Sequence, residues 1–180
     1  SLPGAAQTPP YPYSEEEAEA ALAKSSYAGQ ELVYLTDNST QSVATAEFVQ
    51  SQLAKVGIRT VIDKNPESVW IEKLVKGEFD IAKVYWAFDF PSSDNGLVQF
   101  LSSNFSPDGP NFLHFSDQDF DRLYANALRA TDIEVSEKLF ERMNEKIRTA
   151  SPWLFLYYPV RSLLVSERVE NLEINSLSFS

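Results

Sequence analysis

The chain reads as an α/β protein with a parallel βαβαβ core, on three observations. Apolar, β-prone stretches near residues 31–36, 58–63 and 79–86 alternate with two helix-length segments whose apolar residues recur at helical spacing. Each of those helical segments stops at a glycine, Gly57 and then Gly77, just before the next strand. Strands joined by single helices of this length must cross over, so they lie parallel with right-handed connections and share one carboxyl edge.

Residues 1–13 carry Pro3, Gly4, Pro9, Pro10 and Pro12, which support neither helix nor central strand and imply a linker or extended arm. Ser14 followed by Glu17 is a capping-box pattern, and it opens a helix over about 14–25 that breaks near Gly29. The Glu15-Glu16-Glu17 run then sits in a first turn favoured by the helix dipole. Strand 31–36 leads into Asp37-Asn38-Ser39-Thr40, a loop able to cap a helix over 42–56 that buries Ala46, Val49, Leu53 and Val56. Strand 58–63 follows, and Asn65-Pro66 starts a helix with Trp70, Ile71, Leu74 and Val75 inward. Phe79–Trp86 is the third strand.

The second half is more helical. Gly96–Ser102 reads as a short helix and Asn104–Pro110 as a turn region. Ser116 caps a helix with Phe120, Leu123, Tyr124, Ala127 and Leu128 on one stripe, and a helix over 134–149 turns Leu139, Phe140, Met143 and Ile147 inward. The two make a hairpin expected to pack on the sheet, so that residues 14–165 unfold as one cooperative domain. Trp153 to Tyr158 is apolar on both alternating faces, the pattern of a strand covered on both sides.

Composition narrows the function. A chain of 180 residues, 43% hydrophobic, can bury one good core. A net charge of −11 with 15 scattered basic residues argues against nucleic acid and suits cationic or zwitterionic partners. No apolar run reaches membrane-spanning length. Without cysteine there is no disulfide, thiolate zinc site or lipid-bearing cysteine within these residues. The start at Ser1, with neither initiator Met nor signal pattern, reads as an excised piece. A single histidine, His114, lacks an imidazole partner for a metal and fits no nucleophile triad, and there is no glycine-rich phosphate loop. These features point away from an enzyme and imply no cofactor.

The stretch Val84-Tyr85-Trp86-Ala87-Phe88-Asp89-Phe90-Pro91 places one carboxylate among aromatics where the third strand runs out into a loop. Open α/β sheets bind small molecules at such strand ends, and a carboxylate there can hold an ammonium group. Asp89, Trp86, Phe88 and Tyr85 are therefore the candidate ligand-binding residues. Asp89 before Pro91 also suits a plain turn, and the aromatics also suit a core or an interface.

Several pieces in order, among them Tyr13-Ser14-Glu15-Glu16-Glu17-Ala18, Lys76-Gly77-Glu78-Phe79-Asp80, Tyr85-Trp86-Ala87-Phe88-Asp89-Phe90-Pro91, Asn111-Phe112 and Ser151-Pro152-Trp153-Leu154-Phe155-Leu156-Tyr157, carry a resemblance. From about Ser14 to Pro159 the chain resembles the C-terminal lobe of the extracytoplasmic solute-binding proteins that serve oligopeptide, dipeptide and nickel ABC importers. The resemblance implies a type II periplasmic-binding fold, with residues 14–180 as one lobe and the first lobe absent. It implies that Asp89, in a Trp-x-x-Asp-x-Pro region, meets the α-ammonium of a peptide, a group common to all peptides. Implied partners are a peptide or other small solute, the missing N-terminal lobe and the importer's membrane subunits. The implied location is periplasmic or extracellular, membrane-associated in the parent. Two other readings stand beside it: the ligand-sensing domain of a transcriptional regulator, or a degenerate lobe kept for protein contacts.

Overall fold

A computed structural model of the chain describes residues 12–90, 92–157, 164–166, 168–169 and 171. Most of the expected N-terminal arm and everything expected of residues 158–163 lie outside the described residues. Packing divides the described chain into two compact units, one of residues 12–85 with Phe105–His114, the other of Trp86–Asn104 with the described residues from Phe115 onward.

The first unit is built on a three-stranded sheet. Helix α1, Glu15–Leu22, is capped as expected, Ser14 Oγ accepting from the Glu17 N–H at 3.1 Å. Strand β1, Leu32–Asp37, pairs in parallel with β2, Thr60–Asn65, in the register Leu32 to Thr60 through Asp37 to Asn65. Helix α2, Thr40–Lys55, and helix α3, Glu67–Lys76, are the crossovers. Strand β3, Ile81–Ala82, pairs with the other side of β1, giving the order β2-β1-β3. Because the chain steps from β1 to β2 in one direction and from β2 to β3 in the other, right-handed connections place α2 and α3 on opposite faces of the sheet. Leu35 packs with Trp70 and Leu74 of α3, and Phe79, Ala82, Val84 and Phe112 complete that core. Gly77 ends α3 in the left-handed region at φ 72°, where a side chain would be strained.

β3 is shorter than the expected Phe79–Trp86. With Leu35 opposite Ala82, the register carries Asp37 opposite Val84, and β1 stops there, two residues before Ser39, the cap of α2. Nothing on β1 remains to pair with residues beyond it. Ile71, expected inward, is exposed.

The second unit is helical. Helix α4 spans Ser93–Leu97, earlier than the expected Gly96–Ser102, and 3-10 turns follow at Val98–Phe100 and Ser102–Asn104. Helices α5, Gln118–Arg129, and α6, Ile133–Ala150, form the expected hairpin. The cap of α5 is Asp117 rather than Ser116, its carboxylate accepting from the N–H groups of Asp119 and Phe120 at 2.8 and 3.0 Å. Leu97, Phe100, Phe120, Leu123, Tyr124, Ala127, Phe140, Met143 and Ile147 form one buried cluster. Phe100 lies edge-on to Phe115, Phe120 and Trp153 at 6.2, 6.2 and 5.4 Å. Leu128, expected on the buried stripe, is exposed.

The strand expected at 153–158 is absent over 153–157, and Leu154, Phe155, Leu156 and Tyr157 are all exposed. Only Trp153 of that run packs on the cluster. A strand needs a ladder partner as well as apolar faces, and none is present for it among the described residues.

Candidate functional site

Four aspartates lie at or after the carboxyl ends of the strands in sequence: Asp37 ends β1, Asp63 is near the end of β2, and Asp89 and Asp94 follow β3, Asp89 in the loop and Asp94 in α4. In the first unit, Asp37 closes β1. Its carboxylate accepts from the Ser39 N–H at 2.8 Å, while Ser39 Oγ caps α2 by accepting from the Ser42 N–H. Lys83 Nζ donates to the hydroxyl of the buried Ser42 at 2.8 Å. Burial works to raise the Asp37 carboxyl, but hydrogen bonds from Ser39 and Ser42 and the Lys83 charge hold it below the usual carboxylate range. Asp63, near the end of β2, is paired with Lys73 of α3 at 2.6 Å, and that charged bond holds its carboxyl low as well. Asp63 is thus ion-paired with a lysine of its own unit, and Asp37 is held by the Ser39–Ser42 hydrogen bonds with the Lys83 charge nearby.

Asp89 belongs to the second unit and has different company. Its side chain is exposed, and among the described residues no lysine or arginine lies within ion-pair distance of it. Its partner is Asn95 of α4, which is 7% exposed. The Asp89 N–H donates to Asn95 Oδ1 at 3.3 Å, and Asn95 Nδ2 lies 3.5 Å from Asp89 Oδ2. The Trp86 indole donates to the Asn95 main-chain oxygen at 2.8 Å. Ser92 accepts from the Asn95 N–H at 3.3 Å through its main-chain oxygen, and its hydroxyl is bonded to Asp94. Phe88, half-buried, lies with its ring against Gly96; a Cβ at Gly96 would sit 2.8 Å from Phe88 Cζ.

Of the four residues singled out from sequence, three come together here. Asp89, Trp86 and Phe88 lie on one loop folded back on α4, with Trp86 half-buried and engaged through its indole N–H. Tyr85 lies in the other unit, 72% exposed. Sequence reasoning missed Asn95 and Gly96. The available signal was the Asn95-Gly96 pair itself, a polar and a side-chain-free residue one short turn after an acidic aromatic stretch. Among the described residues no group of three or more His, Cys, Asp or Glu could hold a metal ion, and no helix is long and apolar enough to cross a membrane.

The family model for bacterial extracellular solute-binding proteins, family 5, middle region, matches residues 1–108. Di/tripeptide-binding protein 4 of Pseudomonas aeruginosa is 27% identical over 173 residues, covering 93% of this chain and 32% of its own length. Heme-binding protein A of Haemophilus influenzae is also 27% identical over 173 residues, covering 89% of this chain and 30% of its own length. Among solved structures, the periplasmic binding protein DppA from Helicobacter pylori, in complex with the peptide STSA, superposes with a TM-score of 0.75 over 84% of this chain and 30% of that one, at 24% identity. That last likeness is one of fold. The chain spans about a third of the length of the relatives it matches.

Proposed function

Given that this chain belongs to the bacterial extracellular solute-binding proteins of family 5, with the α/β architecture of type II periplasmic binding proteins, we propose that it forms the C-terminal lobe of the substrate-binding component of an ABC importer. In this reading residues 14–180 are the lobe, the first lobe lies elsewhere in the parent protein, and the parent works outside the cytoplasm against the importer's membrane subunits. Its solute is a peptide or a similar small molecule bearing a primary ammonium group.

The observation that carries the reading is the state of Asp89. Its carboxylate is exposed and, among the described residues, meets no lysine or arginine, whereas Asp63 is paired with Lys73 and Asp37 is held by Ser39 and Ser42 with the Lys83 charge nearby. A carboxylate in that condition gains most from an incoming ammonium, because no existing ion pair has to be broken first. Trp86 and Phe88, just before it in sequence, supply apolar surface suited to side chains that vary from one peptide to the next.

The test is calorimetry on the full-length parent with a short peptide and with the same peptide N-acetylated. A charge-assisted hydrogen bond is worth about 1.5–3 kcal/mol, so Asp89→Asn is expected to weaken the free peptide by roughly tenfold to a hundredfold. Acetylation is expected to hurt wild type far more than the Asn variant. Equal affinity of wild type for both peptide forms would remove the ammonium reading.

A further inference from the structure

We propose that Asn95 is the positioning residue that decides how Asp89 presents its carboxylate, and that this arrangement selects a primary ammonium over a guanidinium. The inference rests on the assignment of Asp89 as the cation-binding group.

The orientation of the Asn95 amide follows from its partners. The Asp89 N–H can only donate, so the amide oxygen of Asn95 must face it, as the 3.3 Å contact shows. The amide nitrogen is then left facing Asp89 Oδ2, at 3.5 Å. Asn95 is buried, and its main chain is tied to Trp86 and Ser92, so the amide has no other place to turn. One carboxylate oxygen, Oδ2, is thereby drawn toward the amide, and among the described residues no donor serves the other, Oδ1. A carboxylate offering one oxygen suits an ammonium, which is a compact point donor. A guanidinium binds best side-on to both oxygens at once, and here one of the two is already turned to Asn95.

The side chain can be altered without touching the Trp86 anchor, because the indole is bonded to the main-chain oxygen of Asn95. The experiment uses the full-length parent and one short peptide in three forms: free amino terminus, N-acetylated, and N-guanidinylated. Wild type is expected to prefer the free form to the guanidinylated form by about tenfold, the worth of one hydrogen bond. Asn95→Leu, similarly branched and without an amide, is expected to weaken the free form about tenfold. It should leave the acetylated form unchanged and bring the free-to-guanidinylated ratio toward one. In an Asp89→Asn background Asn95→Leu should have no further effect on the free form. Asn95→Ala is run beside it and must give the same pattern, with thermal melting to confirm that both variants fold.

Equal weakening of all three forms by both variants would show that Asn95 only supports the loop and would overturn the inference. So would an unchanged free-to-guanidinylated ratio. If wild type fails to distinguish the free from the acetylated peptide, it is the assignment of Asp89 that falls, a result separate from either of these.

Discussion

Replacing Gly96 by Ala tests whether Phe88 rests on α4 as the structure has it. A Cβ at Gly96 would lie 2.8 Å from Phe88 Cζ and 3.0 Å from Cε1, well inside ordinary carbon contact. The obstructing atoms are the far edge of a half-buried ring, so the ring moves and the backbone holds. Tipping it away from its preferred rotamer costs about 0.5–1.5 kcal/mol. Against this, Ala gains up to about 0.8–1.0 kcal/mol over Gly in a helix, and α4 is a single short turn that realises only part of it. The two effects nearly cancel, so Gly96→Ala alone should shift stability by less than about 1 kcal/mol. In a Phe88→Ala background the obstruction is gone and only the helical gain remains. The coupling between the two sites is therefore expected at roughly 0.5–1.5 kcal/mol, read from urea unfolding of wild type, both single variants and the double variant. If Gly96→Ala stabilises by the same amount in both backgrounds, to within about 0.5 kcal/mol, Phe88 does not lie over Gly96.

Two further outcomes follow from the second unit. Phe120 is fully buried against Phe100 and Phe115, so Phe120→Ala should cost about 3–5 kcal/mol, seen as a lower urea midpoint at unchanged slope; a loss below about 1 kcal/mol would contradict the packing. Asp117→Ala removes the acceptor for two first-turn N–H groups of α5 and should cost about 0.5–2 kcal/mol, whereas Asp117→Asn keeps a cap. The Asp117 carboxyl is held below its ordinary range, first by the Phe120 N–H and then by Lys146, so the unfolded chain takes up its proton more readily. Its contribution is thus complete above about pH 4 and is lost as pH falls through the lower folded value. Asp117→Asn should flatten the decline of the urea midpoint between pH 5 and pH 2, and an unaltered slope would count against the pairing.

What was legible in the sequence was local. The alternation of strands and helices, Ser14 as a cap and Gly77 as a stop all follow from short-range spacing and backbone chemistry, and the fold bears them out. What was misread depended on distant partners. Ser116 and Asp117 are equally good caps by residue type; Asp117 is the one that also reaches Lys146, 29 residues away, at 2.9 Å. Ile71 and Leu128 sit on the expected apolar stripes, yet a helix against a small core buries a narrower strip than its sequence offers. The run Trp153–Tyr157 carries the apolar faces of a covered strand, but a strand is defined by what it pairs with, and periodicity holds no information about that.

The candidate site shows the same division more sharply. Asp37, Asp63 and Asp89 are the same residue type at or just past the ends of three strands, and sequence singled out Asp89 through the aromatics around it and the resemblance of that stretch. The folded chain separates them by a different criterion. Lys73 reaches Asp63 from the last turn of the following crossover helix, and Lys83, just past the end of β3, reaches the Asp37 cluster through Ser42. Both lysines are ordinary surface residues in the sequence, and only the sheet register and the helix phase bring them to those carboxylates. Asp89 meets instead a neutral amide six residues on, which steers a carboxylate without neutralising it. A net charge of −11 therefore says little about where a cation would be held, because paired carboxylates contribute to the total as fully as unpaired ones do. In the proposed reading the selective group is the one whose charge the fold leaves uncompensated and whose direction it nevertheless constrains.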